Sequence, residues 1–195
     1  MKKAPNLGCG KENKMDLNAL AKEIHQNAVD HGWWDNKRPF CEIIDLCHSE
    51  LSEVLEEYRN GRELNKIYYS NGNKPEGIPI KLVDEIIRIL DYLEHQGVDI
   101  QQVVNEFEPW IPKEINKTNT LPKFIAGCHW LLSEAYWHKT ISKLDRDLFS
   151  QRMLIHVILT IQKFCQKNNI DLEKAIQIKY EYNKNRPCRH GNKVI

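Results

Sequence analysis

The sequence predicts an all-α protein. Apolar residues recur at spacings of three and four along most of the chain. No apolar–polar alternation of period two lies between hairpin turns, and the periodic segments are bounded by helix caps and glycines. The 195 residues are 41% hydrophobic and 28% charged, which suffices for one well-buried core of ordinary globular composition.

Residues 1–15, rich in Lys, Asn and Gly, show no periodicity and read as a loose tail. Asp16 is placed to cap a first helix through Leu17, Leu20, Ile24 and Val29, which Gly32 ends. Residues 33–39, with Trp33, Trp34 and Pro39, form a loop, and a second helix starts near Phe40. Its apolar positions Ile43, Ile44, Cys47, Leu51, Val54 and Leu55 keep helical spacing. Residues 70–77 are loop by composition, and a third helix runs from about Ile80 to His95, closed by Gly97. Further helices are expected over 99–107, 122–138, 148–167 and 171–184. The one at 148–167 is apolar almost all round and is therefore expected to be buried.

Two short runs echo one another: Cys47-His48-Ser49-Glu50 with Ser52-Glu53, and Cys128-His129 with Ser133-Glu134. This suggests a degenerate duplication within one domain over 16–195. Its first half, 16–108, would carry a metal site, and its second, 120–195, would act as a scaffold with a phosphate-binding C-terminus. Chance likeness between two amphipathic helices is the competing reading.

A net charge of +1 gives no global signature of nucleic-acid or anionic-membrane binding, so a grip on a polyanion must come from a local cluster. No apolar run spans a bilayer, and residues 1–10 lack the apolar core of a secretory signal. The six scattered cysteines, none in a CxxC pair, fit a reducing cytoplasmic compartment. Zinc held by Cys47 with His48, or Cys128 with His129, is disfavoured because adjacent helical residues point apart.

Glu50, Glu53 and Glu57 line one strip of the second helix, and Asp84 lies on the polar side of the third between Lys81 and Arg88. If the apolar faces of these helices pack together, Glu50, Glu53 and Asp84 meet at the edge of the seam. Carboxylates brought together repel unless cations sit between them, an arrangement suited to magnesium with phosphate oxygens completing its shell. Near the C-terminus Lys179, Tyr182, Asn183 and Arg186 share a helical face, followed by Arg189, His190 and Lys193. These cations would complement phosphate or sugar groups, or would simply favour the helix macrodipole. Trp34, or its neighbour Trp33, is a candidate to stack on a base, with burial in the core as the alternative.

The runs His48–Glu53, Gly77–Asp91 and Lys179–Gly191 together resemble the MazG-like nucleoside triphosphate pyrophosphohydrolases, whose signature is ExxE on one helix and ExxD on the next. The resemblance is good over 17–100 and 171–195 and weak over 101–170. It implies an antiparallel helix bundle that hydrolyses a nucleoside triphosphate to monophosphate and pyrophosphate, a role in nucleotide-pool house-cleaning. Glu50, Glu53 and Asp84 would then be magnesium ligands (manganese as an alternative ion), and Glu53 or Glu50 would take the proton of the attacking water. The first acidic position of ExxD is Lys81 here. Glu85, one turn on, is a candidate to restore the missing charge, and Lys81 is a candidate to reach substrate phosphate. A nucleotide-binding or regulatory protein impaired by Lys81 is the alternative function, and a purely structural helical protein a third. The expected partner is a nucleoside triphosphate, with no membrane or nucleic-acid polymer, and a homodimer is left open.

Overall fold

The computed structural model describes residues 15–106, 120–142 and 146–192, apart from the side chains of Arg146 and His190. The expected tail over 1–15 lies almost entirely outside these residues. The fold is all-α, with helices α1 (Leu17–Asp30), α2 (Phe40–Arg59), α3 (Ile78–His95), α4 (Ile100–Glu106), α5 (Leu121–Thr140), α6 (Arg146–Lys167), α7 (Leu172–Lys184) and α8 (Arg189–Asn192). Asp16 caps α1 by accepting from the Ala19 amide at 3.0 Å, and Asp171 caps α7 by accepting from the Lys174 amide at 3.0 Å. Asn18 fixes the start of α4, its Oδ1 accepting from the Ile100 amide at 2.9 Å.

The link between α2 and α3 corrects the reading of 70–77 as plain loop. Strands β1 (Tyr68–Ser70) and β2 (Lys74–Glu76) pair antiparallel around a single 3₁₀ turn at Asn71–Asn73. Three residues per strand are too few to leave an alternating pattern in the sequence. The hairpin delivers the chain to Gly77, which has φ +109° and whose position would set a Cβ 2.4 Å from the Lys66 carbonyl oxygen. Only glycine fits that conformation and that approach. Pro79 follows in the first turn of α3, where its missing N–H costs nothing, so α3 begins two residues before the expected Ile80.

Helix α3 is the centre of the molecule, packed against α1, α2 and α7. Ile80, Leu82, Val83, Ile89, Leu90 and Leu93 are fully buried on it. Helices α5 and α6 pack closely on each other, α5 against α2 and α6 against α3, so one apolar cluster joins the halves. As expected from its apolar surface, α6 buries Leu154, Ile155, Val157, Ile158 and Ile161. The two echoing runs lie face to face. His48 and His129 stack with Nδ1 atoms 2.7 Å apart, and Ser52 and Ser133 each donate to the carbonyl four residues back, that of His48 and His129 respectively.

Because the entry of α3 depends on Gly77, Gly77→Ala should lower stability by roughly 2 kcal/mol or more in urea unfolding. An unchanged midpoint would show that Lys66 and the hairpin yield freely.

Candidate functional site

A cleft of about 250 Å³ opens where α1, α2, α3 and α7 meet. Helical spacing decides which side chains enter it: Glu50 and Glu53 from α2, Lys81, Asp84, Arg88 and Asp91 from α3, and Lys179 and Asn183 from α7, with Arg186 added from just past the end of α7. The packing of α2, α3 and α7 thus gathers residues more than 100 positions apart.

The three expected ligands Glu50, Glu53 and Asp84 do share this cleft, and each is matched by a cation of the protein. The Arg88 guanidinium donates to Glu50 Oε1 through Nε at 2.7 Å and pairs through Nη2 at 2.6 Å. Lys81 Nζ donates to Glu53 at 2.6 Å, and Lys179 Nζ lies 2.8 Å from Asp84. Each carboxylate spends one oxygen on its cation and has no partner among the described residues for the other. Burial pushes the Glu50 carboxyl above the ordinary glutamate value, with Arg88 opposing and Asp84 and Glu53 adding to the rise.

Lys81 occupies a cation position itself. Its ammonium lies 2.6 Å from Glu53 and 3.0 Å from Glu76, with its side chain 8% exposed. Burial works against its charge, but the two glutamates outweigh this and hold its pKa above the ordinary lysine value. Glu76, placed by β2, is also 2.5 Å from Lys74. Burial opposes the Glu76 charge, yet Lys74 and Lys81 keep its carboxyl below its ordinary value. Glu76 could not be singled out in the sequence, because its role depends on the unforeseen hairpin.

Glu85 is not part of the cleft, which corrects its expected place among the metal ligands. It points into the seam behind, is 0% exposed, and neither oxygen has a hydrogen-bond partner among the described residues. Burial raises its pKa well above the ordinary value, and Glu50 raises it further. One turn separates Glu85 from Lys81, but a helix turns about 40° over four residues, enough to move a side chain from cleft wall to core.

The C-terminal strip divides. Lys179, Asn183 and Arg186 line the cleft, and Asn183 Oδ1 is buried without a hydrogen-bond partner among the described residues. Tyr182 is not in the lining; its ring lies 5.7 Å from both Lys179 Nζ and the Arg186 guanidinium and so positions these cations. Arg189 is tied to structure, with Nε donating to the Gly32 carbonyl at 3.0 Å and Nη2 3.6 Å from Asp35. The His190 side chain and Lys193 lie outside the described residues.

Trp34 is corrected in favour of Trp33. Trp34 stacks on His95 at 3.7 Å and donates Nε1–H to Asp91 at 2.9 Å, whereas Trp33 lines the cleft. His25 Nδ1 also lies 2.7 Å from Asp91.

The cleft as it stands does not fit a resident magnesium ion. Its donors are of the right hard type, but six basic side chains (Arg38, Lys74, Lys81, Arg88, Lys179, Arg186) outnumber the four carboxylates of the lining (Glu50, Glu53, Asp84, Asp91), even with Glu76 added behind Lys74 and Lys81. A free dication entering this excess of positive charge is repelled, whereas a polyanion is attracted. Among the described residues, no three His, Cys, Asp or Glu side chains form a metal-holding group. No helix among them is long and apolar enough to cross a membrane.

Comparison with known proteins gives no match to a family model, a curated protein or a solved structure.

The buried Glu85 carboxyl makes stability depend on pH. Its raised pKa favours the fold most below the ordinary value of 4.5, and this contribution is lost as pH rises through the elevated folded value. Glu85→Gln removes the titration, so its stability relative to the parent should improve from pH 4.5 upward, by at most about 1.4 kcal/mol per pH unit. A pH-independent difference in urea unfolding would show that Glu85 is not held in its acid form.

Proposed function

We propose that the protein is a nucleoside triphosphate pyrophosphohydrolase of the MazG-like kind whose substrate arrives already complexed with magnesium. The observation that carries the reading is the cleft in which Glu50, Glu53 and Asp84 of α2 and α3 are gathered with Lys179 and Asn183 of α7 and Arg186 just beyond it. The sequence resemblance supplies the reaction class, and the charge balance supplies the form of the substrate. Basic side chains outnumber carboxylates in the lining, which favours a substrate that stays anionic with its magnesium bound.

In this reading Lys179 and Arg186 contact phosphate oxygens, and Asn183 Oδ1 accepts from a sugar hydroxyl, satisfying its orphaned valence. Magnesium carried by the substrate, or manganese in its place, would neutralise and orient the phosphates, with the second oxygens of Glu50, Glu53 and Asp84 as available donors. Water breaks the bridge between α- and β-phosphates, yielding monophosphate and pyrophosphate. Glu53, whose side chain is 49% exposed, is the carboxylate placed to accept the water's proton. The five described cysteines are free, in keeping with a reducing, cytoplasmic setting.

A second reading, nucleotide binding without turnover, is favoured by the hold of Lys81 on Glu53, which occupies one oxygen of the proposed base. Pyrophosphate release from a mixture of triphosphates with magnesium separates the two. The first reading predicts release that Glu53→Gln reduces by about 100-fold or more with the helical circular-dichroism signal intact, and that Arg186→Ala slows mainly through KM. Binding without release would establish the second reading, and neither binding nor release would remove both.

A further inference from the structure

At the α1–α3 end of the cleft, Arg38 is held in an unusual state. Its side chain is only 9% exposed, yet none of its N–H groups makes a hydrogen bond to a described residue. Its one ionic partner, Asp91, lies 3.9 Å away and already receives Trp34 Nε1–H and pairs with His25 on its other oxygen. The guanidinium carbon lies 5.6 Å from the Trp33 ring and 5.4 Å from the Trp34 ring. Aromatic contacts and Asp91 thus fix the guanidinium while leaving its donors unspent, and both Arg38 and Trp33 border the cleft. Guanidinium donors that border the cleft and are not spent on the protein are open to the acceptors of a ligand.

The cations assigned to phosphate stand with other partners: Lys179 is paired with Asp84, and the Arg186 guanidinium lies 5.7 Å from the Tyr182 ring. Arg38 and Trp33 therefore lie at the end left for the base. Resting on the reading of the cleft as a triphosphate site, we infer that Arg38 is its base-specificity residue and selects nucleobases that present two adjacent hydrogen-bond acceptors. A guanidinium offers two parallel donors, which match O6 and N7 of guanine or O2 and N3 of cytosine. Adenine sets an amino donor beside its ring acceptors, and uracil sets an N–H between its carbonyls, so neither satisfies the fork. Trp33 supplies an aromatic wall that any base can meet.

Calorimetric titration of the full chain with CTP, GTP, ATP and UTP, each with magnesium, tests this without requiring turnover. Cytosine and guanine nucleotides should bind about 10-fold or more tightly than adenine and uracil nucleotides. Arg38→Gln and Arg38→Lys should both bring the four affinities to within about twofold of one another, since lysine keeps the charge but loses the fork. Equal affinities in the parent would overturn the inference, and this arm stands even if a variant fails to fold. A parallel loss for all four nucleotides in Arg38→Gln, restored by Arg38→Lys, would overturn it too by making Arg38 a phosphate contact. Binding of none of the four would defeat the reading of the site itself, and the inference with it.

Discussion

Carboxylates cannot be crowded along a helix seam without positive charge between them, and in this protein the Lys81 ammonium is a positive charge that bridges two of them. Seated between Glu53 and Glu76, it joins α2, α3 and the short hairpin that connects them. Arg88 and Lys179 repeat the arrangement with Glu50 and Asp84, so the cleft holds its charges as ion pairs drawn from three helices. In each pair at least one member is buried: Lys81, Glu50 and Lys179 are sheltered from water, while Glu53 is half exposed. Removing one member of a buried pair typically costs about 3–5 kcal/mol because it strands the other. The same balance decides what the cleft can accept: its positive excess attracts an anion and repels a bare dication.

The backbone serves this arrangement. Gly77 lets the chain pass close to the Lys66 carbonyl as it enters α3, and Glu76 just before it reaches Lys81. The apolar contacts of α3 on several sides then hold its 81, 84, 88 and 91 positions along one wall. Glu85, one residue past that wall, pays for the geometry by being buried without a partner. On the other side of the seam α5 brings His129 against His48, closing the core behind the site.

Most helices were legible in the sequence because period, caps and glycines agreed: Asp16, Gly97 and the apolar face of α3 each point to the element found. The shared cleft of Glu50, Glu53 and Asp84 was legible for the same reason, since spacing on two amphipathic helices fixes which side faces the seam. Three things were not. Glu76 sits in strands too short to show a pattern. Glu85 and Lys81 are a single turn apart, and the modest rotation between them separates core from cleft, a distinction finer than periodicity resolves. The exchange of Trp34 for Trp33 depends on the loop path between α1 and α2, where neighbouring aromatic residues are equivalent in sequence and distinct only once Asp91 and His95 are in place. The partners Arg88 and Arg38 follow the same rule: their types were visible, but their pairings are tertiary.

The central claim is that Lys81 stands where the carboxylates require a cation. Thermal unfolding of Lys81→Glu, with millimolar magnesium and with chelator, tests it most directly. Without magnesium the variant crowds acidic groups around Glu53 and Glu76 and should unfold well below the parent. With magnesium its midpoint should recover by several degrees, the response of a newly made cation site, while the parent's midpoint stays unmoved. A variant as stable as the parent in chelator, or a parent whose midpoint itself climbs with magnesium alone, would contradict the account.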